Sequence, residues 1–195
     1  MSSNGRHASV NPRPTHGDTG RPEVTIGLGE AYATREPTVI KTLVGSCVAV
    51  CYWDSEARVG GMNHFLVPGS AEDDAIRFGV HAMDLLMCEM MRAGAERSRI
   101  RARIFGGAHA LNLEAGDDSV AGRNVRFVRT FMQREAIDVL TEDLGGARPR
   151  LVRFQTDVGL ATARPNTSGR MMALLLATER SEVVKAREYG TVTLF

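Results

Sequence analysis

Cys47 and His64 are the two side chains whose types and spacing best suit chemistry. Both lie in the segment KTLVGSCVAVCYWDSEARVGGMNHFLVP, residues 41–68. Cys47 follows directly on Gly45-Ser46, at the mouth of an apolar run. Glycine permits an unusual turn and close approach of a substrate. Backbone N–H groups at such a turn are free to point at a developing oxyanion. His64 comes seventeen residues later, on the next strand candidate. Paired strands bring such residues to within roughly 5 Å of each other. A free thiol with a pKa of about 8.5 is only a few per cent thiolate at pH 7. An adjacent imidazole can lower that pKa to between about 3.5 and 7.5. The thiolate would attack a carbonyl, the histidine would protonate the leaving group, and water would then hydrolyse the thioester. The plainer reading of the same residues is a core cysteine and a hydrogen-bonded structural histidine, since cysteine is among the most buried residue types.

The elements that must position this pair read as follows. Glu23–Thr34 alternates through Val24, Ile26 and Leu28, as a strand does. Thr38–Val44, Cys47–Trp53 and Val59–Pro68 are further strand candidates separated by Gly45-Ser46 and the polar stretch 54–58. Short strands joined by tight turns predict antiparallel pairing. A helix is predicted over 72–93, with Ile76, Val80, Met83, Met87 and Met90 or Met91 on one face. Ser70 with Asp73 suggests a capping box there. The methionine stripe reads as a core face, with a soft binding face as the alternative. Arg101–Phe105 reads as a strand and 123–136 as a second helix. Ile137–Leu140 and Leu151–Gln155 are short strands around Gly145-Gly146. Strands followed by helices between strands predict an α/β layered sandwich of mixed, largely antiparallel sheet with two main helices. Residues 1–21 are expected to be a disordered leader containing His7 and His16, and 22–164 the domain. Residues 165–195 form a C-terminal extension, with a linker over 164–170, an apolar Met171–Ala177 and a charged, helix-compatible Thr178–Tyr189.

Composition removes several classes of function. The chain has 24 Lys+Arg against 23 Asp+Glu, a net charge of +1, so it carries no broad footprint for nucleic acid. No apolar run approaches the ~20 residues of a membrane span, and the polar N-terminus lacks a signal-peptide core. Three cysteines without an export signal read as reduced thiols in a cytoplasmic protein. Cys47 and Cys51 would lie ~13 Å apart on one strand, too far for a shared metal or a disulfide. The usual glycine-rich nucleotide motifs, the serine-hydrolase elbow and the paired-histidine zinc motif are missing. No cofactor or metal is expected.

The blocks GSCVAVCYWD (45–54), GGMNHFLVPG (60–69), IFGGAHAL (104–111), GRNVRFV (122–128) and TEDLGG (141–146) occur in order. They resemble the successive signatures of the CheD family of chemoreceptor glutamine deamidases, over about residues 23–163. The resemblance implies a cytoplasmic chemotaxis enzyme that converts receptor glutamine side chains to glutamate with release of ammonia, and that can also act on receptor glutamate methyl esters. It implies Cys47 as nucleophile, His64 as catalytic histidine and Thr42 as the third catalytic residue, bonded to His64 or to substrate. Ser46 and Asn63 flank the pair and are read as substrate-positioning groups. His109 stands where relatives commonly carry Asn and is expected on a surface loop. The implied partners are the cytoplasmic helical domain of chemotaxis receptors and, as in some relatives, an adaptation phosphatase. A side chain presented on a receptor helix would require an open, shallow site. Two alternatives stay open at this level: a receptor methylesterase using the same residues, and a non-catalytic adaptor binding receptors or the phosphatase.

Overall fold

Alternation along two short runs builds the centre of the protein, and the computed structural model describes it over residues 15–16, 20–67, 72–109 and 119–189. In chain order the elements are β1 (Thr15–His16), β2 (Pro22–Thr25), β3 (Ala31–Thr34), β4 (Val39–Val44), β5 (Val48–Asp54), β6 (Val59–Phe65), α1 (Glu72–Arg92), β7 (Arg101–Gly106), α2 (Val120–Arg134), β8 (Asp138–Leu144), β9 (Arg150–Gln155), β10 (Leu160–Pro165) and α3 (Gly169–Tyr189). The strands form two five-stranded sheets, ordered β1-β2-β4-β9-β10 and β3-β6-β5-β7-β8.

Three layers result. Ile40 and Val44 of β4 meet Ala49 and Cys51 of β5 in the core between the sheets, with Met62, Phe105, Val152 and Phe154. The alternate residues of β5, Val48, Val50 and Tyr52, point the other way and pack with Met83, Leu86 and Met90 of α1 and Val128 and Met132 of α2. Both faces of β5 are therefore covered, which explains its near-continuous apolar run. Burying each such side chain stabilises the fold by roughly 1.5–3 kcal/mol. The methionines of α1 form a core face as read, whereas Met91 is exposed. Ser119 caps α2, its hydroxyl accepting from the Gly122 N–H at 3.0 Å.

The layered α/β architecture agrees with the sequence expectation, and several details differ. The segment read as one strand over Glu23–Thr34 is two, because Gly27 and Gly29 break it and β2 and β3 join different sheets. Pairing is mixed and largely antiparallel, as expected, with β2 parallel to β4 and β7 parallel to β8. Strand β10, paired along its length with β9, was not anticipated. Its alternation of exposed and half-buried residues shows little apolar signal. Thr15 and His16 of the expected leader pair with Glu23 and Pro22. The apolar and charged stretches near the C-terminus form one helix, α3. His7 and Ser70 lie outside the described residues. Among the described residues, no helix is long and apolar enough to cross a membrane.

Candidate active site

The turn Val44–Val48 carries the thiol out of sheet one and into sheet two. β4 ends at Val44, β5 begins at Val48, and Gly45, Ser46 and Cys47 make the crossing. The Cys47 carbonyl accepts from the Gly107 N–H at 2.8 Å, and the Gly45 carbonyl accepts from Ala108 at 2.7 Å. These bonds tie the turn to the end of β7. Gly106 sits against it with φ +121°, and a Cβ there would fall 2.2 Å from the Cys47 carbonyl oxygen. Glycine at this position is thus required both by backbone conformation and by space.

His64 is reached from the neighbouring strand. In the β5–β6 ladder Ala49 stands opposite His64, and Val48 opposite Phe65. Cys47 lies one residue before the ladder begins; extending its alternation back from Ala49 would set Cys47 diagonal to His64 rather than directly opposed. Diagonal neighbours have Cα atoms about 7–8 Å apart with Cβ atoms closer, within range of side-chain contact. Cys47 is buried with Leu66, Val120 and Leu28 about it.

Thr42 comes from the other sheet. Its hydroxyl lies 2.9 Å from His64 Nδ1 and 2.9 Å from the carbonyl of Ile26, to which it donates. A hydroxyl has one proton. With that proton given to Ile26, Thr42 Oγ1 accepts from Nδ1–H, so His64 is held in the Nδ1–H tautomer. Nε2 then carries the lone pair, and it has no hydrogen-bond partner among the described residues. Burial pushes the imidazole pKa down to about 4, so the ring is neutral at pH 7. Burial also pushes the Cys47 thiol well up, with the adjacent Glu179 carboxylate acting in the same direction. As they stand, the Cys47 thiol and the His64 imidazole are both neutral.

Glu179 was not anticipated at all. Its carboxylate accepts from the backbone N–H groups of Gly45 (3.2 Å), Ser46 (3.2 Å) and Cys47 (3.4 Å), and from the Ser46 hydroxyl (2.6 Å). Successive N–H groups converging on one anion form a nest. The N–H groups of this turn, expected to be free for an oxyanion, are engaged by the Glu179 carboxylate. The only early signal for Glu179 was a glutamate in a charged helical stretch, which does not distinguish it from a solvated surface residue.

The remaining expected residues fall out differently. Ser46 lines the nest through its hydroxyl and N–H. Asn63 does not flank the thiol, because neighbouring residues of a strand face opposite ways. Its Oδ1 accepts from the Val50 N–H at 3.2 Å and its Nδ2 donates to the Ala82 carbonyl at 2.9 Å, tying β6 to β5 and α1. Cys51 is a buried core residue and Cys88 is exposed on α1. His109 is exposed, with Ser119 Oγ 3.4 Å from its Nδ1. Among the described residues, no group of three or more His, Cys, Asp or Glu is placed to hold a metal. The expected open, shallow site is not what is seen: Cys47 is 0% and His64 3% exposed.

Fold and site together define a class: a two-sheet α/β layered domain with a thiol, an imidazole and an anion-accepting backbone nest at one sheet-to-sheet crossing. A family model described as CheD chemotactic sensory transduction matches residues 66–165. A Shewanella oneidensis protein named "Probable chemoreceptor glutamine deamidase CheD 2" is 44% identical over 145 residues, covering 69% of this chain and 72% of that one. A Vibrio cholerae "Probable chemoreceptor glutamine deamidase CheD" is 38% identical over 161 residues, covering 76% and 68%. A Burkholderia vietnamiensis protein of that same name is 37% identical over 189 residues, covering 89% and 74%. The chain belongs to the CheD family.

Proposed function

We propose that this chain hydrolyses glutamine side chains of chemotaxis receptors to glutamate, with Cys47 as nucleophile and His64 as its base. Membership of a family whose curated members are named chemoreceptor glutamine deamidases supports the reaction class. The observation that carries the residue roles is the Thr42–His64 bond at 2.9 Å. It commits Nδ1 and leaves Nε2 as a base without a hydrogen-bond partner among the described residues.

The steps follow from that arrangement. His64 Nε2 takes the proton of Cys47, and the thiolate attacks the carboxamide carbon. Negative charge gathers on the former carbonyl oxygen, where N–H groups of the Gly45–Cys47 nest can stabilise it. The imidazolium returns its proton to the departing nitrogen, and ammonia leaves a thioester. His64 then activates water; hydroxide adds to the thioester carbon, and the restored thiol leaves glutamate behind. Thr42 is a positioning residue, acting through the imidazole. The substrate is the helical cytoplasmic region of a receptor, and the reaction belongs to the cytoplasm. Docking of an adaptation phosphatase rests on family membership alone.

The chemistry has a use for the partner. Each new carboxylate on a helix surface repels like neighbours at helical spacing by a few tenths of a kcal/mol, or about 0.2–0.5 per pair. Several together bias a marginal signalling equilibrium. The deciding experiment is mass spectrometry of a receptor cytoplasmic fragment incubated with wild type, Cys47→Ala or His64→Ala. A +1 Da change at particular glutamines is expected with wild type. It should vanish in Cys47→Ala and slow by about 10²–10⁴ in His64→Ala. Conversion unchanged in Cys47→Ala removes the proposal.

A further inference from the structure

We infer that the Gly45–Ser46–Cys47 nest is the subsite for the substrate's side-chain carbonyl, and that α3 is an intramolecular occupant which closes it with a product-like carboxylate. The subsite half of this inference rests on the deamidase reading above. The occupancy half stands on geometry alone.

The occupant has the chemistry of the product. Deamidation turns a helix-borne glutamine into a helix-borne glutamate, and Glu179 is a glutamate carried on a helix. Its two oxygens take all three N–H groups of the nest and the Ser46 hydroxyl. A substrate oxygen seeking the same donors beside the thiol must displace it. Gly45 is shaped for this contact: a Cβ there would lie 2.9 Å from Glu179 Oε1 and 3.2 Å from Leu175 Cδ2. Glu179 is fully buried, and among the described residues its carboxylate is satisfied by the turn.

The helix is also built to leave. Among its described side chains only Leu175 and Glu179 are buried, an i, i+4 pair on one narrow stripe. Leu174 is 70% and Val184 53% exposed. Among the described side chains these two anchor α3, and a receptor helix offering an equivalent side chain can compete for the nest. Withdrawal of Glu179 also removes a negative charge beside Cys47, which favours the thiolate. The resting chain is thus closed, and binding of a receptor helix is coupled to opening.

The test uses the full chain and the three cysteines as reporters. Wild type, Glu179→Ala, Glu179→Gln and Arg180→Ala are treated with iodoacetamide, and each cysteine is followed by peptide mass spectrometry. Cys88, exposed on α1, reports reagent activity, and Cys51, buried between the sheets, reports an intact fold. Cys47 should be alkylated at least tenfold faster in Glu179→Ala than in wild type or in Arg180→Ala, with Cys51 and Cys88 unchanged. Should Cys51 open in Glu179→Ala, the isosteric Glu179→Gln decides, with an expected gain of at least threefold at Cys47. Cys47 reactivity unchanged in a variant that protects Cys51 overturns the inference. A receptor-fragment assay on the same proteins separates the two readings. Faster alkylation with no deamidation by any variant keeps the α3 contact and removes the deamidase reading and with it the subsite. Deamidation by wild type, equalled by Glu179→Ala with unchanged alkylation, keeps the deamidase and removes the closure.

Discussion

At the scale of residues, the Thr42 hydroxyl decides what His64 can do. Replacing it by valine removes the acceptor for Nδ1–H and frees the ring to change tautomer. Thr42→Val should lower kcat by about tenfold or more while leaving KM little changed, and Thr42→Ser should restore most of it. The ¹⁵N shifts of His64 would report the Nδ1–H tautomer in wild type and a mixture in Thr42→Val, which a merely structural role would not produce. The same histidine makes an acid prediction. Its folded pKa is depressed to about 4 from 6.5. Below pH 6.5 the unfolded chain takes up a proton that the folded chain refuses until about pH 4. Stability should therefore fall as pH drops through that window, by roughly 3 kcal/mol at about 1.4 kcal/mol per pKa unit. Urea titrations of wild type between pH 7 and pH 4 should show this loss, and His64→Gln should flatten the window. A slope that persists in His64→Gln would assign it to other groups.

At the scale of elements, β7 and the turn after it hold the Cys47 backbone. Gly106→Ala would put a methyl 2.2 Å from the Cys47 carbonyl oxygen and force a positive φ on alanine. The expected cost is about 3 kcal/mol or more, a drop in Tm of roughly 6–12 °C for a chain of this size. Residual folded protein should alkylate Cys47 abnormally, because the Gly107-to-Cys47 bond is lost with the displaced turn. A Tm within 2 °C of wild type, an order-of-magnitude threshold on the same scale, would mean that the turn yields more easily than its packing implies. The elements around the site were readable because their signals are local. Alternation and flanking glycines mark β4, β5 and β6, and helical periodicity marks α1. β10 escaped because an edge strand with exposed and half-buried residues carries no apolar alternation of its own. The split of β2 from β3 escaped because alternation continues through Ile26 and Leu28 although the chain is changing sheets.

At the scale of the whole molecule, the described part of α3 touches the body through two buried side chains, whereas β4, β5 and β6 are sealed in the layers. Amide hydrogen exchange should therefore be fast along α3 and slow in β4–β6, with α3 opening far below the global unfolding free energy. A receptor fragment that displaces α3 should speed its exchange further. Exchange in α3 as slow as in β5 would show the helix to be part of the rigid core.

The sequence by itself determined which residues are available for chemistry and which short segments become strands or helices. Those properties depend on residue type and on neighbours within a few positions. It also carried the ordered blocks that resemble one family. Tertiary structure alone decided the rest. Ladder register put Ala49, not Cys47, opposite His64. Strand alternation turned Asn63 away from the site, although it adjoins His64 in the chain. Sheet-on-sheet packing brought Thr42 to the imidazole across 22 positions, and folding brought Glu179 to the Cys47 N–H across 132. Contacts over such separations leave no periodic trace in a single chain. They are set by how layers stack once each has buried its apolar face.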